Sequence, residues 1–190
     1  MPHRRRIVLT GMGVVSPLGL DRTTFVEALR QRRSGLRAIR HFDATGLPIR
    51  IAGELPNFQG RNYLQKKDRK LLKMMAPTVQ QAVASARLAI DDAGLKIDDS
   101  DPSRLGVVLG IGIIPGEIMD LGPAAHASFD QEADRLDLRR WGHEGMAEMQ
   151  PMWMLNHVPN MSACHVSILN NAQGPNNTIT QSDVASLLAV

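Results

Sequence analysis

Two kinds of apolar pattern divide this chain. Short, nearly continuous apolar runs beside glycine occur at Ile7-Val8-Leu9 and at Leu105-Gly106-Val107-Val108-Leu109-Gly110, and longer stretches space apolar residues three and four apart. The first pattern predicts strands and the second helices. Residues 6–10 therefore read as a strand that runs into Gly11-Met12-Gly13. Asp21 caps a helix over 23–32 in which Phe25, Ala28 and Leu29 share one face, and Gly35 stops it. Residues 41–48 are irregular, and 49–53 form a strand. The most regular helical signal follows: Pro77 in the first turn, Val79, Ala82, Val83, Ala86, Leu88, Ala89 and Ile90 along one broad face, and Gly94 as the stop.

A mostly polar loop, 95–104, leads to the apolar run 105–110, which has the pattern of a strand buried on both faces. Residues 115–149 are polar with weak periodicity and read as an insertion of one or two helices packed over the sheet. Residues 151–159 read as a short helix or turn. A helix follows over 160–170, with Met161, Cys164, Val166, Ser167 and Leu169 partly inward. From Gly174-Pro175 the chain turns, forms a strand, and enters an apolar helix at Ser182-Asp183. Strand, helix, strand in this order predicts α/β architecture with a largely parallel or mixed sheet. Strand-to-helix joints gather free backbone N–H groups at the positive end of the helix dipole, which suits nucleophiles and anions.

At 190 residues and 43% hydrophobic content, one core and one domain over 1–190 are expected. The net charge of +3 does not by itself point to nucleic acid. A single cysteine, Cys164, excludes an internal disulfide framework and implies a reducing, cytoplasmic setting. Arg4-Arg5-Arg6 precede an apolar segment too short and glycine-rich for a secretory signal, and they flank the first strand instead. No run approaches the roughly twenty apolar residues of a membrane helix.

Candidate chemistry is sparse. Gly11-Met12-Gly13 begins like a dinucleotide fingerprint, but Ser16 and Pro17 stand where the third glycine and the helix start belong, so the glycines serve to turn the backbone. Gly110-Ile111-Gly112 meets Pro115 before any helix and reads as a loop close to a ligand or to another backbone. Cys164 and His165 are helix neighbours about 100° apart and cannot pair as nucleophile and base, which leaves Cys164 as a small buried hydrophobe. The six histidines, His3, His41, His126, His143, His157 and His165, lack the close spacing of zinc ligands, so no metal and no cofactor is expected. Lys66-Lys67-Asp68-Arg69-Lys70 reads as a solvated face, with an acidic partner as the alternative.

Several of these stretches, in order, resemble the β-ketoacyl-acyl carrier protein synthases, condensing enzymes of the thiolase superfamily. The opening 6–19 is similar to their first strand and loop. Ala89-Ile90-Asp91-Asp92-Ala93-Gly94-Leu95 is similar to the end of their second helix, and 106–112 to the next strand and glycine turn. Residues 159–168 and Gly174-Pro175-Asn176-Asn177-Thr178-Ile179 resemble the helix and strand before the nucleophile. The resemblance implies the N-terminal half of a thiolase-like fold, a mixed five-stranded sheet packed by helices, with 115–149 inserted and the C-terminal half absent. It also implies an elbow whose cysteine takes the acyl chain as a thioester. Laid on without a gap, that motif puts Gln181 on its threonine, Ser182 on its first alanine and Asp183 on its cysteine, with an N-cap role for Asp183 outweighing a catalytic one. Gly110 and Gly112 become substrate-binding candidates.

The family's two histidines and lysine that drive malonyl decarboxylation lie in its second half and match nothing here, which leaves enzymatic activity open. The expected function is that of a β-ketoacyl synthase homologue of fatty acid or polyketide biosynthesis without cysteine-dependent condensation; the alternative is a chain-length-factor-like subunit or scaffold beside an active synthase. Implied partners are acyl carrier protein or an acyl thioester, and a homodimer or a heterodimer with a related synthase; nucleic acid and membrane are not expected.

Overall fold

The computed structural model describes residues 6–55, 57–116 and 118–190; Arg4 and Arg5 of the expected basic flank, and His3, lie outside them. Helix α1, Arg22–Arg30, begins as its sequence predicts. Asp21 accepts the Thr24 backbone N–H at 2.8 Å and the Thr24 hydroxyl at 2.7 Å, and these bonds hold its carboxyl below the usual range. Its end differs from expectation. Arg32, at φ 53, rather than Gly35, turns the chain: the Arg33 N–H reaches Ala28 O and the Arg32 N–H reaches Leu29 O, both at 2.9 Å. This paired pattern satisfies the last carbonyls and normally carries glycine at the left-handed position. Gly35 has another task, since it and Gly53 both rest against the Pro17 ring.

Strands β1 (Arg37–Ala38) and β2 (Ile51–Ala52) pair antiparallel. The expected strand over 49–53 thus shrinks to two residues and gains a partner that periodicity did not mark. Residues 66–74 form a 3-10 helix with a solvated basic face, while Leu71 and Leu72 turn to the core. Helix α2, Pro77–Asp92, matches its prediction, with Val79, Val83 and Ala84 buried and Gly94 at φ +62 closing it.

Strand β3, Val107–Gly110, lies parallel to β6, Asn176–Ile179, in the register Val107↔Asn176 to Gly110↔Ile179. Helices α2 and α6 (Met161–Leu169) pack on each other, and α6 also packs on these strands. Leu64, Met75, Val79, Val83, Ile111, Ile114 and Val166 are the buried centre, with Val107, Leu109 and Leu169 packed against them.

Two strand expectations are corrected. β3 is not buried on both faces: Val108 is 51% exposed, because α6 covers only the opposite side. Residues 6–10 carry no strand ladder. Ile7, Val8 and Leu9 meet no second apolar layer and stay exposed, and a short apolar segment without an edge to pair with makes no strand. The chain instead lies against α2, where Gly11 and Gly13 come so close that a Cβ would collide with the carbonyls of Ala89 and Ser85. Their role is close packing as well as turning. Asp92 ties the same region down, accepting the Met12 N–H at 3.0 Å and pairing with Arg22 at 3.0 Å.

The insertion comprises α3 (Ile118–Ala127), a hairpin of β4 (Phe129–Asp130) and β5 (Arg135–Leu136), α4 (Leu138–His143) and a 3-10 turn over 145–148. It packs chiefly on itself rather than over the sheet: Ala124 and Ser128 are buried, the Ser128 hydroxyl bonds Ala124 O at 2.6 Å, and Gly145 fits against that hydroxyl. Helix α5, Trp153–His157, connects it to α6. The architecture is mixed α/β as expected, and among the described residues its strands pair two by two.

Candidate active site

The joint after β6 is sharper than the sequence suggested. Parallel pairing continues one residue past the strands, where the Ile111 N–H bonds Ile179 O at 3.0 Å. The chain then enters a 3-10 turn, Ser182–Val184, and the short helix α7, Ala185–Leu188. Ser182 adopts φ 49, an uncommon conformation for a side chain of its type, and it makes the abrupt change of direction. Ala185 is buried beneath the end of β3, where Gly110 leaves no room for a Cβ: an added carbon would strike the Ala185 carbonyl and the Ser186 nitrogen.

The expected site residues are thus only partly brought together. Gly110 abuts the joint that carries Asp183, and it does so through another backbone. Gly112 is exposed with open space around it. The N-cap role expected of Asp183 is not realised. No side chain caps the 3-10 turn or α7, and Asp183 is the second residue of that turn, past the position from which a cap reaches free N–H groups. Its carboxylate faces solvent. Chemically, the joint offers a strained turn and an exposed carboxylate, without a thiol.

The sole thiol, Cys164, is on α6, half-buried rather than fully buried. The residue buried there is its neighbour. His165 is 2% exposed, and neither ring nitrogen has a hydrogen-bond partner; the Ser162 hydroxyl one turn earlier is also buried and unpaired. Burial pushes the His165 imidazole below its ordinary value, opposed by the Met74 carbonyl. The sequence brought this histidine forward only as a rejected partner for Cys164, and nothing in it marked the ring itself as buried. A second group was equally invisible. His157 Nδ1 meets Trp153 O at 2.8 Å and its Nε2 lies 3.6 Å from Asp120, fastening α3 of the insertion to α5. Among the described residues no three metal-ligating side chains gather, and no helix is long and apolar enough to cross a membrane.

The family model "Beta-ketoacyl synthase, N-terminal domain" matches residues 4–190. The chain is 32% identical over 177 residues to the 3-oxoacyl-[acyl-carrier-protein] synthase 2 of Vibrio harveyi, and 33% identical over 177 residues to that of Coxiella burnetii. Each match covers 93% of this chain and 38% of the relative, so the chain spans well under half the length of these proteins. Among solved structures, "The ishigamide ketosynthase/chain length factor" superposes with a TM-score of 0.70 at 30% identity, over 93% of this chain and 40% of that one. A type II polyketide ketosynthase in complex with its acyl-carrier protein superposes with a TM-score of 0.69 at 22% identity, over 98% of this chain and 44% of that one, and supports the fold alone.

Proposed function

This chain belongs to the β-ketoacyl synthase family, and we propose that it forms the N-terminal part of a synthase homologue of fatty acid or polyketide biosynthesis in which no acyl-cysteine is made. The observation that carries the proposal is the joint itself. Gly174-Pro175 leads into β6, which runs parallel to β3, and laying the family's elbow on the sequence from there without a gap would set Asp183 at the nucleophile's position, which supports the reading. A thiolate attacks a thioester and yields another thioester, stable enough to wait for the second substrate. A carboxylate in its place yields a mixed anhydride, which water destroys. On this reading the elbow keeps its shape and Gly110 its fit, and the protein engages acyl thioesters or their carrier protein without storing the acyl group.

The experiment is incubation of the chain with a labelled acyl thioester, followed by intact-mass measurement. No covalent gain is expected for the native chain, and one acyl mass is expected for Asp183→Cys, with Cys164→Ala as background to exclude the α6 thiol. Stable acylation of the native chain overturns the proposal.

A second reading has its own support in the 30% identical neighbour titled a ketosynthase/chain length factor: a subunit that pairs with an active synthase and alters its product length. Mixing the protein with an active ketosynthase and measuring product length separates the two, since only the subunit reading requires a change.

A further inference from the structure

The insertion over 118–148 packs chiefly on itself, and its strands β4 and β5 pair only with each other among the described residues. Two chain segments join it to the body. In the first, Ile111 and Ile114 are buried in the core, and Pro115 and Gly116 then lead towards α3. In the second, Pro151 precedes α5, and α6 follows after Pro159. A lobe joined in this way turns about its connections unless something fastens it.

The fastening is at His157. Its ring stands in the last turn of α5 with its centre 5.5 Å from that of the Trp153 ring. Gly116 lies so near that a Cβ there would be 3.5 Å from Nε2. Nδ1 is 2.8 Å from Trp153 O, and Nε2 is 3.6 Å from the Asp120 carboxylate on α3. One ring thus meets α5, the first connection and the insertion together. Among the described residues, the Asp120 contact is the single ion pair or side-chain hydrogen bond between the insertion and the rest of the chain.

These two contacts decide the protonation state they need. A carbonyl only accepts, so Nδ1 must carry a proton to bond Trp153 O. The neutral ring then turns the lone pair of Nε2 towards a carboxylate, which is itself an acceptor, and the two repel. The imidazolium carries a proton on each nitrogen and makes both contacts attractive. The side chains of His157 and Asp120 are 14% and 25% exposed, so solvent screens the pair incompletely. The other elements around the ring add no competing charge among the described residues. Residues 111–116 and the rest of α5 contain no ionisable side chain, and Cys164 and His165 on α6 make no hydrogen bond to the ring.

We infer that His157 is a proton-operated clasp: the imidazolium fastens the insertion to α5 through Asp120, and the neutral ring lets the insertion swing about 115–116 and 149–152. The fastening is present at acid pH and is lost as the ring gives up its second proton. Its sign is opposite to that of His165, whose burial favours the neutral ring. The clasp lies outside the elbow and holds or fails whatever chemistry the elbow performs.

Hydrogen–deuterium exchange of the full chain, read by mass spectrometry at about pH 8 and about pH 5.5 and corrected for intrinsic rates, tests the clasp. Peptides over 115–121 and 150–157 are compared with peptides of α2, so that a change in global stability, including that from His165, cancels. On acidification the protection of both connections relative to α2 is expected to rise about fivefold, the effect of one partly screened ion pair. Asp120→Asn is expected to lose that response or reverse it, because an amide N–H can donate to Nε2 of the neutral ring. His157→Phe is expected to show no response, and Glu117→Gln to respond as the native chain does. A native chain without the rise, a rise of native size in Asp120→Asn or His157→Phe, or its loss in Glu117→Gln each overturns the inference. Matching circular dichroism spectra establish that the variants fold.

Discussion

Two residues carry the sharpest single-site expectations. Gly13 runs against α2 with no space for a methyl group, and the atoms in the way are backbone, which cannot swing aside. Gly13→Ala is therefore expected to destabilise the protein by about 3 kcal/mol, the upper end for an overpacked contact; a denaturation midpoint unchanged from the native chain would remove the close-packing explanation. His165 makes the stability pH-dependent. Its folded pKa is lowered by burial, so the unfolded chain binds the proton more readily. The neutral ring's full contribution is present above the ordinary imidazole value, near 6.5, and is lost as pH falls below that value toward the folded one. His165→Leu is expected to flatten this acid-side slope in urea titrations, and to cost little at neutral pH because it removes two unpaired buried nitrogens. An acid slope unchanged in the variant would assign the effect to other groups.

At the scale of elements, legibility followed from whether a signal was local. α2 was readable because Pro77, the apolar face and Gly94 lie within one stretch, and β3 because it is a short apolar run between glycines, whereas the mostly polar β6 was marked by the Gly174-Pro175 turn before it. The N-terminus of α1 was readable for the same reason. Replacing its cap in Asp21→Ala is expected to cost about 1 kcal/mol, seen as a lower thermal midpoint, and Asp21→Asn should recover most of it; equal losses in both would mean that charge rather than capping matters. What was not readable depends on partners distant in sequence. β1 exists only because β2 lies opposite it, fourteen residues on, and residues 6–10 fail as a strand because no described edge meets them. The end of α1 misled because glycine normally takes the left-handed position, and here Arg32 does while Gly35 fits against Pro17. In the elbow, the frame from Gly174 to Ile179 was legible, whereas the failure of Asp183 to cap was not. That failure depends on Ser182 making the turn one residue earlier.

For the whole molecule, the accessible surface decides what to expect in solution. The chain exposes 14296 Å², against about 9000 Å² for a compact monomer of its 20.8 kDa. The excess, about 5000 Å² on one chain, exceeds the roughly 1000–2500 Å² that one partner contributes to an obligate interface. Part of it is apolar and local to the elbow: Leu187 is 78% exposed and Leu188 57% on α7, which packs on β3, and Val108 of β3 is half-exposed. Scattered exposed leucines are ordinary, but a cluster on a helix of four residues leaves that helix with little to hold it in water. The 190-residue chain alone is therefore expected to associate, with sedimentation velocity giving a weight-average mass that rises with concentration. In a symmetric dimer each leucine counts twice, so Leu187→Ser/Leu188→Ser should weaken association by about 5 kcal/mol, roughly several thousandfold in dissociation constant, and leave monomer. A native chain that stays monomeric at high concentration and binds no apolar dye would mean that α7 folds back to cover itself, and the exposed elbow described for this protein would then be wrong.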